Sequence, residues 1–291
     1  MPVSVKVELP EDAGNEYQDT SCTLYFKVEA IQGNAATEDV PTDILAIYSA
    51  QDLKNFAKQI NEGSLSKTYT EIKLMNDLDL ADEAFTAIGV EGHVFDGVFN
   101  GNDHTISNLT IAGQKYSNVG AGLFNMTSNN GAGTAPLVKN ITFDHVTVNA
   151  YESFHVGVVR GECYGDLILE NVHVTNSSVT GQCNVGGLVG RNGERNNKIT
   201  FKDCSVENTQ VTSVGGGDPA GASAFLGMAL KIGADRNIDL VFYGTNVATG
   251  NTLVSAEGHT GGGIYVIAEV VGQNRGSATA VDKFDNYNSQ S

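Results

Sequence analysis

A short unit of apolar residues broken by glycine and asparagine returns along this chain, and few folds can hold such a pattern. It is clearest over residues 95–111: Phe95-Asp96-Gly97-Val98-Phe99-Asn100-Gly101-Asn102-Asp103-His104-Thr105-Ile106-Ser107-Asn108-Leu109-Thr110-Ile111. Glycine and asparagine tolerate positive φ, so the backbone can corner after a few extended residues. Apolar-polar-apolar triplets recur at Leu109–Ile111, Ile141–Phe143, Leu167–Leu169 and Ile199–Phe201, at intervals of 32, 26 and 32 residues by subtraction. A second ladder lies between them at Gly120–Phe124, Val156–Val159, Val185–Gly190 and Ala222–Gly227. Short alternating strands with a period of tens of residues specify a β-solenoid, in which each coil buries its core against its neighbours. The fold class expected is all-β.

The solenoid is expected over residues 45–281, its last rungs at Ile238–Phe242 and Gly263–Ile267, with a polar tail at 282–291. Ser49-Ala50-Gln51-Asp52 reads as a capping box with aspartate in the usual Glu or Gln position. Leu53, Phe56, Ala57 and Ile60 follow at helical spacing and Gly63 closes the segment, which predicts a capping helix over about 49–62. Such a helix covers the open end of a solenoid core.

Residues 33–44 are a small-residue, acidic linker, and residues 1–32 contain two alternating strands, Val3–Leu9 and Cys22–Ala30. Val5-Lys6-Val7-Glu8-Leu9-Pro10, Ala13-Gly14-Asn15-Glu16-Tyr17-Gln18 and Phe26-Lys27-Val28-Glu29-Ala30-Ile31-Gln32 resemble the last hairpin of camelysin/TasA-type domains. Those domains are secreted sandwiches of Gram-positive surfaces and biofilm fibres. The resemblance implies a hairpin remnant whose apolar face and free edges favour self-association. It carries no protease activity over, because no metal motif is present.

A second resemblance covers roughly residues 45–230. The unit from Phe95 to Ile106, Gly122-Leu123-Phe124 and Val185-Gly186-Gly187-Leu188-Val189-Gly190 resemble the GLUG-type repeat of large bacterial cell-surface proteins. The lead-in at Ile47–Ile60 and Ile72–Leu80 matches as well. The resemblance implies a right-handed parallel β-helix and supplies no catalytic residues. The chain departs from the pattern at Asn125 and Val158, where the family has glycine.

Chemistry finds little purchase in the sequence. A net charge of −17 without a lysine or arginine cluster argues against nucleic acid as a partner. No apolar run reaches the ~20 residues of a membrane helix, and Met1-Pro2-Val3-Ser4 reads as strand-like sequence, so the expectation is that these residues are not a signal peptide. Cys22, Cys163, Cys183 and Cys204 read as buried thiols. Asp77 and Asp79, two apart, suit a calcium site or an acid–base pair, but short acids at a rung end more commonly cap backbone groups. Asp96 and Asp103 read as corner residues, while Arg160, Arg191 and Arg195 read as lying in Gly-rich corners without matching acids. In the inferred register His145 aligns with Asn171 and His173 with Thr147, so the two are expected to face solvent rather than share an ion. The glycosylation patterns at Asn108, Asn125, Asn140 and Asn176 follow from composition.

The function expected is a secreted or bacterial cell-surface module for spacing or adhesion. Ladders of Thr110, Thr142 and Thr200, with Asp144 and Glu170, would give weak polyvalent contact with glycan or a surface protein. The alternatives are a polysaccharide lyase or glycosidase, and a calcium-dependent carbohydrate- or partner-binding module. The expectation is a non-enzyme, inert toward polygalacturonate, alginate, xylan and glycosaminoglycans, with no catalytic residue, cofactor or metal.

Overall fold

The computed structural model describes residues 43–65, 69–81, 83–113, 120–127, 135–163, 165–192, 197–215, 221–230, 238–256 and 274–275. The chain winds as a parallel β-helix whose full coils have four sides. The first wall is a ten-stranded sheet running Ile44–Ile47, Glu71–Leu74, Val98–Ser107, Leu137–Asp144, Leu167–Thr175, Asn197–Lys202, Ile238–Tyr243, with three short strands beside it. The second wall stacks Ala84–Phe85, Thr110–Ala112, Thr147–Ala150, Ser178–Gly181, Gln210–Ser213 and Thr252–Val254. The third holds His155–Val156, Asn184–Gly186 and Gly221–Ser223. The fourth runs from Phe124–Thr127 through Arg160–Cys163 and Val189–Asn192 to Leu226–Leu230, and Asn274–Arg275 pairs with its last member. The hairpin expected at 1–32, most of the linker, the rung expected at Gly263–Ile267 and the tail lie outside the described residues.

The register read from sequence holds for the later coils and fails for the earlier ones. Leu167 pairs with Ile199 and Leu169 with Phe201, as expected. Ile141, however, pairs with Val172 and Phe143 with Val174. Leu109–Ile111 belongs to the second wall, where Ile111 pairs with Val148. The step from Val138 to its partner Leu169 is therefore 31 residues by subtraction, rather than the expected 26. Apolar-polar-apolar triplets occur on more than one wall of each coil, so the pattern alone does not say which wall a triplet occupies. The expected threonine ladder falls apart for the same reason: Thr110 sits in the second wall, Thr142 pairs with Thr105 and His173, and Thr200 pairs with Ile168.

Alternation places one residue in two inside the coil, and those residues stack along the axis. Phe201 stacks on Phe242 at 5.2 Å and on Phe225 at 5.4 Å between ring centroids. At the N-terminal end the rings of Phe56, Phe95, Phe124 and Phe99 form a chain with neighbouring centroids 4.9–5.9 Å apart. Phe56 is carried by helix α1 (Ala50–Asn61), so the helix is joined to the core by aromatic contact. Ser49 caps it, its Oγ accepting from the Asp52 N–H at 3.2 Å, while the Asp52 carboxylate accepts from the Tyr48 N–H. Leu53, Phe56 and Ala57 are buried, which is the capping stripe the spacing predicts.

Glycine is required where the fourth wall crosses the preceding coil. A Cβ on Gly190 would lie 2.3 Å from Val156 N, and one on Gly227 2.4 Å from Val185 N. Asn125 occupies the equivalent position on the first rung of this wall, where its N–H and carboxamide instead reach the Ile88 and Gly89 carbonyls. That contact explains why the chain tolerates asparagine there.

The coils turn between the first and second walls at residues held in the left-handed region: Asn108, His145, Asn176, Asn208 and Gly250, with φ from 50° to 66°. A left-handed corner leaves the following N–H without a carbonyl of the next coil, and a side chain supplies the acceptor. Val146 N–H donates to Ser177 Oγ at 2.9 Å, Ser177 N–H to Thr209 Oγ1 at 3.3 Å, and Thr209 N–H to Asn251 Oδ1 at 2.9 Å. Ser177→Ala should cost about 1–3 kcal/mol by orphaning the Val146 amide. Chemical denaturation reads the loss, and an unchanged midpoint would show that the relay adds nothing.

Candidate functional site

The same left-handed corners build a groove. Asn108 opens it, and each of the next four coils contributes a corner residue and the strand residue two positions later: His145 and Thr147, Asn176 and Ser178, Asn208 and Gln210, Gly250 and Thr252. The groove they line encloses ≈ 480 Å³ and runs along the axis, across successive coils. Neither carboxylate nor ammonium groups belong to its lining.

Acids beneath the groove orient its side chains. Asp79 accepts from Asn108 Nδ2 at 2.9 Å, and Asp144 accepts from Asn176 Nδ2 at 2.8 Å and Thr175 Oγ1 at 2.6 Å. His145 Nδ1 meets the other Asp144 oxygen at 2.7 Å. With their amide nitrogens committed to acids, Asn108 and Asn176 keep their carbonyl oxygens as acceptors. The Asn108 hydrogen bond holds the Asp79 carboxyl below its usual range. Burial pushes Asp144 up, but the bonds from Thr175, Asn176 and His145 outweigh it and keep it low.

The sequence candidates separate in space. Asp77 accepts from the Thr105 N–H at 2.9 Å and meets His104 Nδ1 at 3.1 Å, whereas Asp79 serves Asn108 and the Ala81 N–H. The two acids thus have different partners, and each closes a corner. The Thr105 bond lowers the Asp77 pKa. Among the described residues no group of three or more His, Cys, Asp or Glu is placed to hold a metal. Asp103 is a left-handed corner residue, φ 62°, accepting from Asn171 Nδ2 at 3.3 Å, and Asp96 is exposed in the bend before Val98. His145 and His173 are not brought together, but the reason differs from the expected register. His173 pairs with Thr142 and Ser205 in the first wall, half-buried, with its ring on Ser205 Oγ and Asn171 Oδ1. Cys163, Cys183 and Cys204 are buried free thiols whose burial raises their pKa to about 11, 11 and 12.

A charged cluster missed by the sequence reading lies on the third and fourth walls. Arg160 and Arg191 are strand residues rather than corner residues, and Glu162 is the acid that matches them. Arg160 and Glu162 are fully buried. Glu162 pairs with Arg191 in register, their side chains 3.4 Å apart, and Arg160 Nε donates to the Glu162 carbonyl at 2.9 Å. His155 Nε2 lies 2.9 Å from Arg191 Nη1 and 3.9 Å from Glu162. Arginine only donates, so Nε2 accepts and the ring proton sits on Nδ1, 3.0 Å from the Asn184 carboxamide, which accepts from it with its oxygen assigned to face the ring. The available sequence signal was Glu162 standing two residues from Arg160, which places both on one strand face.

Burial, and then the Arg191 charge, push the His155 pKa from 6.5 to about 3. Folded, the ring stays neutral down to that value, whereas the unfolded chain takes up a proton below 6.5. Between those two values the unfolded state binds more protons, so stability falls as pH falls. His155→Gln should flatten the decline of melting temperature with pH across this window. An equally steep decline would assign the acid sensitivity to the carboxylates alone.

No family model matches the chain. Two curated proteins resemble it in sequence. One, "Putative Gly-rich membrane protein" of Evansella cellulosilytica, is 28% identical over 196 residues, 56% of this chain and 21% of the relative. The other, "Halomucin" of Haloquadratum walsbyi, is 26% identical over 217 residues, 68% of this chain and 2% of the relative. The chain thus corresponds to only a fraction of either. A solved structure described as "a putative immunoglobulin A1 protease from Bacteroides ovatus" superposes with a TM-score of 0.50 at 14% identity, covering 79% of this chain and 81% of that one. Its likeness shows the fold. It also corrects the expectation of a non-enzyme, because a protein described as a protease carries this scaffold. Outer walls of a solenoid accept reactive side chains without altering the stacked core. No helix among the described residues is long and apolar enough to cross a membrane.

Proposed function

We propose that this chain is a module of a large secreted or surface protein, in which the solenoid acts as a rigid spacer making weak polyvalent contacts along one corner. The observation that carries this reading is the repetition of one polar corner on successive coils, which offers equivalent subsites in a row. Relatives described as a membrane protein and a halomucin support a surface setting, and the small share of each that the chain covers fits one module among many. The finer assignment to GLUG-type repeats rests on the Gly–Gly-Leu and Phe-Asp-Gly units. It is supported by the packing demand at Gly190 and Gly227, where the repeat places glycine.

Equivalent weak sites gain strongly from linkage, because each further contact becomes intramolecular. A tetramerised form of the chain should therefore bind immobilised envelope preparations of its source organism at least about 100-fold better than the monomer. Equal binding of monomer and tetramer, or no binding by either, would remove the polyvalent reading.

A further inference from the structure

We propose that the corner groove is a binding site for an extended, uncharged polysaccharide lying along the solenoid axis. This deepens the contact role above and rests on it. Five corners contribute, from Asn108 to Gly250, and coils rise by about 4.8 Å, so the lined track is roughly 19 Å long. A chain of linked sugar rings advances by a similar distance per ring, so each ring meets one corner.

The lining selects hydroxyl groups by its chemistry. Asn108 and Asn176 spend their amide nitrogens on Asp79 and Asp144, which leaves carbonyl oxygens as acceptors. His145 spends Nδ1 on Asp144, which leaves Nε2. The Asn208 carboxamide and the hydroxyls of Thr147, Ser178 and Thr252 make no hydrogen bond among the described residues. Acceptors and two-way hydroxyls beside one another suit a ligand whose every group both donates and accepts. A charged polymer finds no countercharge in the lining, and the net charge of −17 repels acidic glycans.

A peptide strand is disfavoured by the backbone. The corner amides of Asn108, His145, Asn176 and Asn208 already donate to Asp144, Thr175, Glu207 and Thr249 carbonyls of the next coil. The groove therefore has no open edge to template a strand, and recognition falls to side chains.

Gly250 occupies the fifth corner, which shows that glycine satisfies its left-handed geometry, φ 66°. The triple variant His145→Gly, Asn176→Gly, Asn208→Gly therefore strips the groove without straining the turn. Tetramerised parent and variant are titrated on immobilised laminarin, mannan and hydroxyethylcellulose, with alginate as the acidic control and melting followed in parallel. The expected result is binding to at least one neutral glycan, weakened tenfold or more in the variant, with alginate unbound and the melting temperature close to the parent's. Binding that survives the variant, or that favours alginate, would overturn the site. Binding of the parent tetramer to envelope preparations but to no neutral glycan would overturn it while leaving the contact role standing. Should the variant melt well below the parent, the single changes His145→Gln and Asn208→Gly carry the same test, and no loss from either would also overturn it.

Discussion

Phe143→Asp is expected to abolish cooperative folding of the solenoid. Phe143 is fully buried, with Ile106 and Val174 as its register partners on the coils to either side. Removing a buried phenylalanine side chain costs about 3–5 kcal/mol by itself. A carboxylate placed among stacked apolar residues adds a desolvation penalty that no partner offsets. The sum approaches the whole stability of a typical domain, which is about 5–15 kcal/mol. The neighbouring change Asp144→Asn is the control. Its carboxylate is partly exposed and bonded to Thr175 and Asn176, contacts that an amide oxygen retains, so a loss of no more than about 1 kcal/mol is expected. Circular dichroism and denaturant titration separate the two outcomes. Comparable losses from both would mean that the inward and outward faces of this strand have been exchanged.

The second large effect is expected at Glu162. Replacing it with glutamine keeps the volume and removes the charge, leaving the guanidiniums of Arg160 and Arg191 without a carboxylate that now faces them in the interior. Breaking a buried pair in this way costs about 3–5 kcal/mol, because the remaining charge stays desolvated. Arg191→Met in the same chain should recover part of the loss, giving a coupling energy that a double-mutant cycle measures. Additive losses would show that Glu162 and Arg191 are stabilised independently by other groups. The pair is equally informative about His155, since Arg191 contributes to holding that ring neutral.

Much of the architecture was legible in the residues. Ser49 with Asp52, followed by Leu53, Phe56 and Ala57, specified the capping helix, because a helix start and its buried stripe depend on spacings of a few residues. The triplets at Leu167 and Ile199 fell into register as expected. The fold class follows from such local signals repeated along the chain.

What sequence could not decide was which triplet lies over which. Leu109–Ile111 and Ile141–Phe143 look alike, yet they lie on different walls, and the corner lengths between walls are set by how the whole coil closes. That choice carried the site with it. Asn108, His145, Asn176 and Asn208 are four residues of ordinary turn character until the true register puts them in one row. Glu162, Arg191 and His155 are likewise separated by 29 and 7 residues from Glu162 to Arg191 and from His155 to Glu162, and only parallel pairing of consecutive coils brings them together. Alternation and turn chemistry act within a strand and its corner, so they determine that this chain coils. Stacking acts between coils, where apolar fit over the entire rung outweighs any single resemblance, and so the tertiary structure alone determined which polar groups meet.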